Sequence, residues 1–262
     1  MSQTYLVADI GNTTIDIGAF RTPNASHSGE DVSLPQPLST CKVDSVTEDY
    51  HEVESWLRSS VGGNQTANHW VIGSVNKPAR RRLADWLKTR EAKIHDVTPN
   101  HVPIDSSVRY REQVGVDRLA ACFAANRLRH PLRSAIVICS GSAITVNVVS
   151  ASGVFLGGMI MPGMDLSFRS LLQETDQLPH VQPGDQIPPL VGDDTISAIQ
   201  SGVYWKTVGG INDAIRRVET EVSGHCDVFG CGGSMRWLLP ELDERIRHEP
   251  NLVLSGLALV PR

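Results

Sequence analysis

An aspartate closing an apolar run, followed at once by a glycine turn rich in hydroxyls, is a combination that could hold a phosphorylated ligand. Here it is the segment Asp9, Ile10, Gly11, Asn12, Thr13, Thr14, Ile15 and Asp16. Gly11 allows close backbone approach, the turn offers N–H groups to an anion, and Asp9 at the strand end points a carboxylate into the same space. That carboxylate could hold hydrated magnesium, which keeps several waters and takes one or two carboxylates beside phosphates. An ordinary Asn-containing hairpin would present the same residues, and this segment alone leaves both readings open.

Two further clusters carry potential chemistry. Cys139-Ser140-Gly141-Ser142 repeats the strand-then-turn pattern, with a Ser142 hydroxyl and turn N–H available to phosphate, while Cys139 reads as a small core residue. Gly115-Val116-Asp117-Arg118 stands at the mouth of a helix pattern, where the dipole favours an ionised Asp117 and Arg118 offers a planar fork for a carboxylate or phosphate. Its plainer reading is first-turn charge on a helix. Asp193-Asp194-Thr195 reads in the same way as a helix cap with Thr195 facing solvent. The Gly-x-x-x-x-Gly-Lys loop, Gly-x-Gly-x-x-Gly, His-Glu-x-x-His and Gly-x-Ser-x-Gly are all absent.

The elements that must position these residues follow an α/β order. Tyr5 to Asp9 and Thr14 to Phe20 read as a β-hairpin, 21–38 as a loop, 46–60 and 78–91 as helices around a strand at Trp70 to Gly73, and Lys93 to Val97 as a strand. A helix following Gly115 to Arg118 ends near Arg129. Ala135 to Cys139 and Ala143 to Val149 then reopen the hairpin pattern, with Ala8 to Thr13 falling on Ile138 to Ala143 at a separation of 130 residues. A helical region at 194–222, interrupted by Gly209-Gly210, and a strand from Asp227 to Gly230 complete the second half. This repeat predicts two duplicated α/β lobes facing a cleft, at 1–130 and 131–262.

Composition narrows the setting. A net charge of -5 gives no footprint for nucleic acid, and no apolar run approaches a membrane span. Five scattered cysteines without a Cys-x-x-Cys pair, and a start that lacks a basic leader, fit a cytoplasmic protein.

Taken in order, the motifs resemble the type III pantothenate kinases, which use ATP to phosphorylate pantothenate in the first step of coenzyme A synthesis. The resemblance rests on Asp9 to Thr13, Gly115 to Arg118, Gly141 to Val146, and Gly153 with Phe155 to Gly163. It continues through Leu178-Pro179, Asp194-Thr195 with Gly202, Gly230 to Gly233 and Asn251 to Leu257. It implies duplicated actin-like, ribonuclease H-like lobes around a nucleotide cleft. It also implies that Asp9 to Asp16 and Ser142 bind ATP with magnesium, that Asp117 accepts the proton, and that Tyr110, Gly115, Val116, Asp117, Arg118 and Thr195 meet pantothenate. A homodimer and an activating monovalent cation, potassium or ammonium, are implied as well.

The chain departs from the family pattern where that pattern has Asp-x-Gly-Thr and a second Asp five residues on. It has Cys139, Ser142 and Asn147 there, and a thiol is a poor ligand for a hard cation. The Pro usual after the family's Tyr is also absent beyond Tyr110. These changes keep two alternatives open: a catalytically impaired binding or regulatory homologue, and another small-molecule kinase of the superfamily.

Overall fold

The computed structural model describes residues 3–22, 33–60, 68–184 and 186–261. Much of the loop expected at 21–38 therefore lies outside the described residues. The chain divides into two compact units, Met1–Leu128 with Asn251–Arg262, and Arg129–Pro250.

The first unit is built on a five-stranded sheet. Its strands are β1 (Thr4–Ile10), β2 (Thr14–Arg21), β3 (Ser39–Asp44), β4 (His69–Ser74) and β5 (Lys93–Val97), in the order β3-β2-β1-β4-β5. β1, β2 and β3 form an antiparallel meander, whereas β4 and β5 join β1 in parallel. The central strand β1 is a near-continuous apolar run because both of its faces are covered. On one face Leu6, Ala8 and Ile10 meet residues of α1 (His51–Ser60) and α2 (Lys77–Lys88), among them Val53, Leu83 and Leu87. The other face carries α3 (Val116–Leu128) and the chain's last helix, and Tyr5 donates its hydroxyl to the Ala258 carbonyl at 3.4 Å.

The second unit repeats the arrangement. β6 (Ala135–Ser140), β7 (Ala143–Val149), β8 (Phe155–Pro162), β9 (Asp227–Cys231) and β10 (Arg247–His248) are ordered β10-β9-β6-β7-β8. Again the first three strands are antiparallel and the last two are parallel to the leading strand. Ile136, Ile138, Ile144 and Val146 pack with residues of α4 (Met164–Gln173), α5 (Thr195–Glu221) and the short α6 (Met235–Leu238). Two copies of this mixed sheet make the expected duplicated ribonuclease H-like, actin-like architecture.

Three expectations change. α5 is one uninterrupted helix of 27 residues through Gly209 and Gly210. Each glycine costs about 1 kcal/mol in a helix, but Tyr204, Val208, Ile211, Ala214 and Ile215 bury the stripe around them, and packing prevails. The strands β3 and β8, the two-residue β10 and the helices α4 and α6 are elements that the periodicity reading did not place. Finally, residues 251–262 do not stay with the second half. Their helix α7 (Leu252–Ala258) belongs to the first unit, where the missing side chain of Gly256 lets it lie against the α3 backbone at Ala120. A methyl group at Gly256 would collide with that carbonyl.

Candidate active site

The turn joining β1 to β2 is held from behind. Gly11 N–H donates to the Thr14 carbonyl at 2.9 Å, closing the turn, and two residues remote in sequence secure its outer carbonyls. The buried Ser45 donates its hydroxyl to Gly11 O at 2.7 Å and its N–H to Thr13 O at 2.8 Å. Asn76 caps α2 by accepting from Ala79 N–H at 3.1 Å and donates its amide to Gly11 O at 3.3 Å. Arg82 braces the Ser45 segment in turn, through the carbonyls of Ser45 and Thr47. With its carbonyls engaged behind it, the turn's exposed residues Asn12 and Thr13 remain at the surface. Sequence reasoning missed Ser45 and Asn76, although the Asn76-Lys77-Pro78 helix start was visible.

Asp9 sits at the end of β1, directly across from Asp16 on β2 and Gly73 on β4. One of its oxygens, Oδ1, is buried without a hydrogen-bond partner among the described residues. Burial, and next the charge of Asp117, drive the Asp9 carboxyl well above the ordinary carboxylate range. Asp16 adds to this effect, although it is itself engaged by Lys42 at 2.9 Å and by the Thr14 hydroxyl at 3.1 Å.

Asp117 lies in the first turn of α3, and its Oδ1 is likewise buried without a partner among the described residues. Burial raises its carboxyl, and the Arg118 N–H and guanidinium only partly oppose the effect. Gly115 makes the geometry possible, since a Cβ there would collide with the Asp117 carboxyl and crowd Val75. The structure thus brings Asp9, Asp16 and the Gly115–Arg118 turn into one electrostatic group within the first unit. Tyr110, 54% exposed, caps the 3-10 turn Arg111–Gln113. Arg111 pins the approach to that turn by donating to the carbonyls of Pro99 at 3.0 Å, Val102 at 2.6 Å and Ile104 at 2.6 Å.

In the second unit, the corresponding turn between β6 and β7 carries Ser142, which is half-buried. Gly141 N–H donates to Ala143 O at 3.1 Å, and Gly163 N–H donates to Ser142 O at 3.1 Å. Cys139 lies beside Thr145 and Cys231, and the buried Asn147 donates its amide to Val137 O at 3.3 Å and to the Thr145 hydroxyl at 3.0 Å. A carboxylate at 147 could accept but not donate, so Asn147 serves the sheet here. Thr195 is exposed as the first residue of α5, and Asp194 is its N-cap, accepting Ser197 N–H at 2.7 Å as the cap reading expected.

The family resemblance implies magnesium and a monovalent cation, and the residues suit the two ions differently. A buried oxygen of Asp9 lacking a partner, beside a turn of backbone donors, suits magnesium carried on phosphates, which needs only one or two protein carboxylates. The row containing Cys139 does not suit a hard monovalent cation, because its side chains are two thiols and a hydroxyl. Among the described residues there is no cluster of three or more His, Cys, Asp or Glu able to hold a metal.

Duplicated sheets of this order, with an acidic turn at the leading strand of the first, define the actin-like class. A crystal structure of a Campylobacter jejuni protein assigned to the Baf family of transcriptional activators shows the same fold, with a TM-score of 0.58 at 18% identity, covering 97% of this chain and 96% of that one. Residues 5–217 match the sequence model of the type III pantothenate kinases, and the chain belongs to that family. It is 42% identical over 225 residues to a type III pantothenate kinase of Hyphomonas neptunium, covering 84% of this chain and 86% of that protein. A type III pantothenate kinase of Frankia alni is 33% identical, with 97% of each chain covered.

Proposed function

We propose that this chain transfers the γ-phosphoryl group of ATP to the primary alcohol of pantothenate. The observation that carries the reading is that Asp9, beside the braced turn, and Asp117, in the first turn of α3, each keep a buried oxygen with no partner among the described residues, in a member of this family. Asp9 would hold magnesium through water, and Gly11 to Thr14 would receive phosphate. Bound magnesium would supply charge neutralisation for the transferring phosphoryl group. Asp117 orients the alcohol and accepts its proton late in the transfer, since a carboxylate is too weak a base to deprotonate an alcohol beforehand. Arg118 fixes the substrate, with Tyr110, Gly115, Val116 and Thr195 as further contacts, and Ser142 offers a hydroxyl to the nucleotide. Ile10, Ile15 and Asp16 shape the first turn.

The deciding experiment is a coupled assay of ADP release with pantothenate and a panel of small alcohols. Turnover confined to another alcohol would move the chain to a different small-molecule kinase. A folded protein inactive towards all of them would favour the impaired homologue, a reading that the neutral row at Cys139 supports.

The same reading includes a homodimer and a cytosolic setting. The edge strand β8 exposes Leu156, Met159 and Ile160, the last at 64%, an apolar run suited to burial against a second copy. Light scattering of the full chain tests this, and a monomer at micromolar concentration would count against it. Its free cysteines fit reducing conditions. Among the described residues no helix is long and apolar enough to cross a membrane.

A further inference from the structure

Cys139, next to last in β6, and Cys231, last in the parallel strand β9, are in direct register, and their Sγ atoms lie 3.2 Å apart. Neither is in a disulfide; Cys139 is half-buried, and Cys231 is 1% exposed. We propose that the pair is an oxidisable dithiol whose reversible disulfide ties together the two turns at this end of the second sheet.

The backbone is suited to the bond. Neighbouring strands stand about 4.8 Å apart, inside the Cα separation that a disulfide spans, and the sulfurs need only close from 3.2 Å to a bond of about 2.05 Å. The difference in exposure assigns the roles. Cys139 is the thiol that a small oxidant can reach, and Cys231 is the resolving thiol beneath it.

With a low-molecular-weight disulfide as oxidant, the Cys139 thiolate attacks one sulfur, the oxidant's S–S bond breaks, and one thiolate leaves. Cys231 then attacks Sγ of Cys139 in the mixed disulfide and expels the second. The two protein thiols lose two electrons and two protons, and the oxidant ends as two thiols.

The position gives this bond a consequence. β6 runs into Ser140-Gly141-Ser142, and β9 runs into Gly232-Gly233-Ser234. These turns already touch, because Ser234 N–H donates to Ser140 O at 3.2 Å. Gly232, at φ 96°, lies so close to the Ser140 backbone that a Cβ there would collide with it. A bond between strand ends already at disulfide spacing moves the backbone little, and with the two turns in such close contact it instead removes the freedom of the Ser140–Ser142 turn to adjust to a ligand. This consequence rests on the reading that Ser142 meets the nucleotide.

The test equilibrates the full-length protein in glutathione buffers from reduced to fully oxidised, followed by alkylation, peptide mass mapping and ATP kinetics. The expected result is a peptide pair joined through Cys139 and Cys231, with the KM for ATP raised roughly tenfold, the scale on which a binding group held out of its best position acts, and restored by dithiothreitol. Cys231→Ser, or Cys231→Ala if that variant does not fold, should retain reduced-state activity and lose the response. Full alkylation of both thiols in oxidised glutathione would overturn the proposal. A joined pair with unchanged ATP kinetics would overturn its link to the turn. Mapping detects the disulfide whether or not ATP is turned over, so failure of the kinase reading is seen separately.

Discussion

The leading strands of the two units end in rows of three residues that share a backbone and differ in charge. Across β2, β1 and β4 the row is Asp16, Asp9 and Gly73; across β7, β6 and β9 it is Thr145, Cys139 and Cys231. The hydrogen-bond ladders that fix both rows involve only backbone groups, so the sheet order survives while the side chains diverge. What diverges is the capacity to hold a cation. The first row concentrates negative charge next to Asp117, at the cost of raised carboxyl pKa values. The second is neutral and turns its sulfur atoms towards each other.

If the acidic end of the first unit is the reacting end, the largest effect should come from Asp117→Asn. A folded variant with turnover lowered roughly 10²-fold or more is expected, the scale of a lost positioned base. A wild-type rate with pantothenate, in a variant that still unfolds cooperatively, would remove Asp117 from the chemistry.

Asp9→Asn sharpens the contrast because it makes the first row more like the second. Use of magnesium ATP should fall steeply, while stability without nucleotide moves in the opposite direction. A raised folded-state pKa means that the group's contribution is fully present below the ordinary carboxylate pKa of 3.8 and is lost as pH rises through the raised value. The asparagine variant should therefore unfold at a higher temperature than wild type at neutral pH and show a flatter profile from acid to neutral. A thermal transition falling in parallel with wild type across that window would show that Asp9 is not carrying the buried charge.

The brace behind the first turn should matter less than the carboxylates. Ser45→Ala removes one buried donor from Gly11 O and should cost about 1 kcal/mol of stability, with a several-fold rise in the KM for ATP and little change in kcat. A fall confined to kcat would argue that Ser45 does more than hold the turn. The smallest effect concerns the neutral row. Turnover in sodium, potassium and ammonium buffers at matched ionic strength should nearly coincide for the wild type, since screening is then equal. Strong potassium activation, unchanged in Cys139→Asp, would show that this row does not report a missing cation site.

Much of the candidate site was legible in the sequence. Asp9 to Thr13 and Ala135 to Val149 announce themselves by an apolar run, a glycine turn and a second β-rich run, because turn and strand preferences are local. The correspondence at a separation of 130 residues was readable for the same reason and holds for the leading strands, but the second hairpin is one residue shorter: Asp9 faces Asp16 whereas Cys139 faces Thr145, so the returning strands correspond at 129. Gly115 before Asp117 was legible as a motif, but its reason, room for the carboxyl to fold back, appears only in three dimensions.

What the sequence determined by itself is the set of local conformations: the paired hairpins, the Asp194 helix cap, and the alternation of strands and helices repeated in the two halves. Tertiary structure decided which distant residues meet. It returned α7 to the first sheet, carried the helix α5 through Gly209-Gly210, placed Ser45 and Asn76 behind Gly11, and set Cys231 beside Cys139 across 92 residues of chain. The physical reason is one of range. Turn, cap and strand preferences are satisfied within a few residues, whereas burial and the pairing of buried polar groups are satisfied by whatever the fold brings near, and sequence spacing does not encode those neighbours.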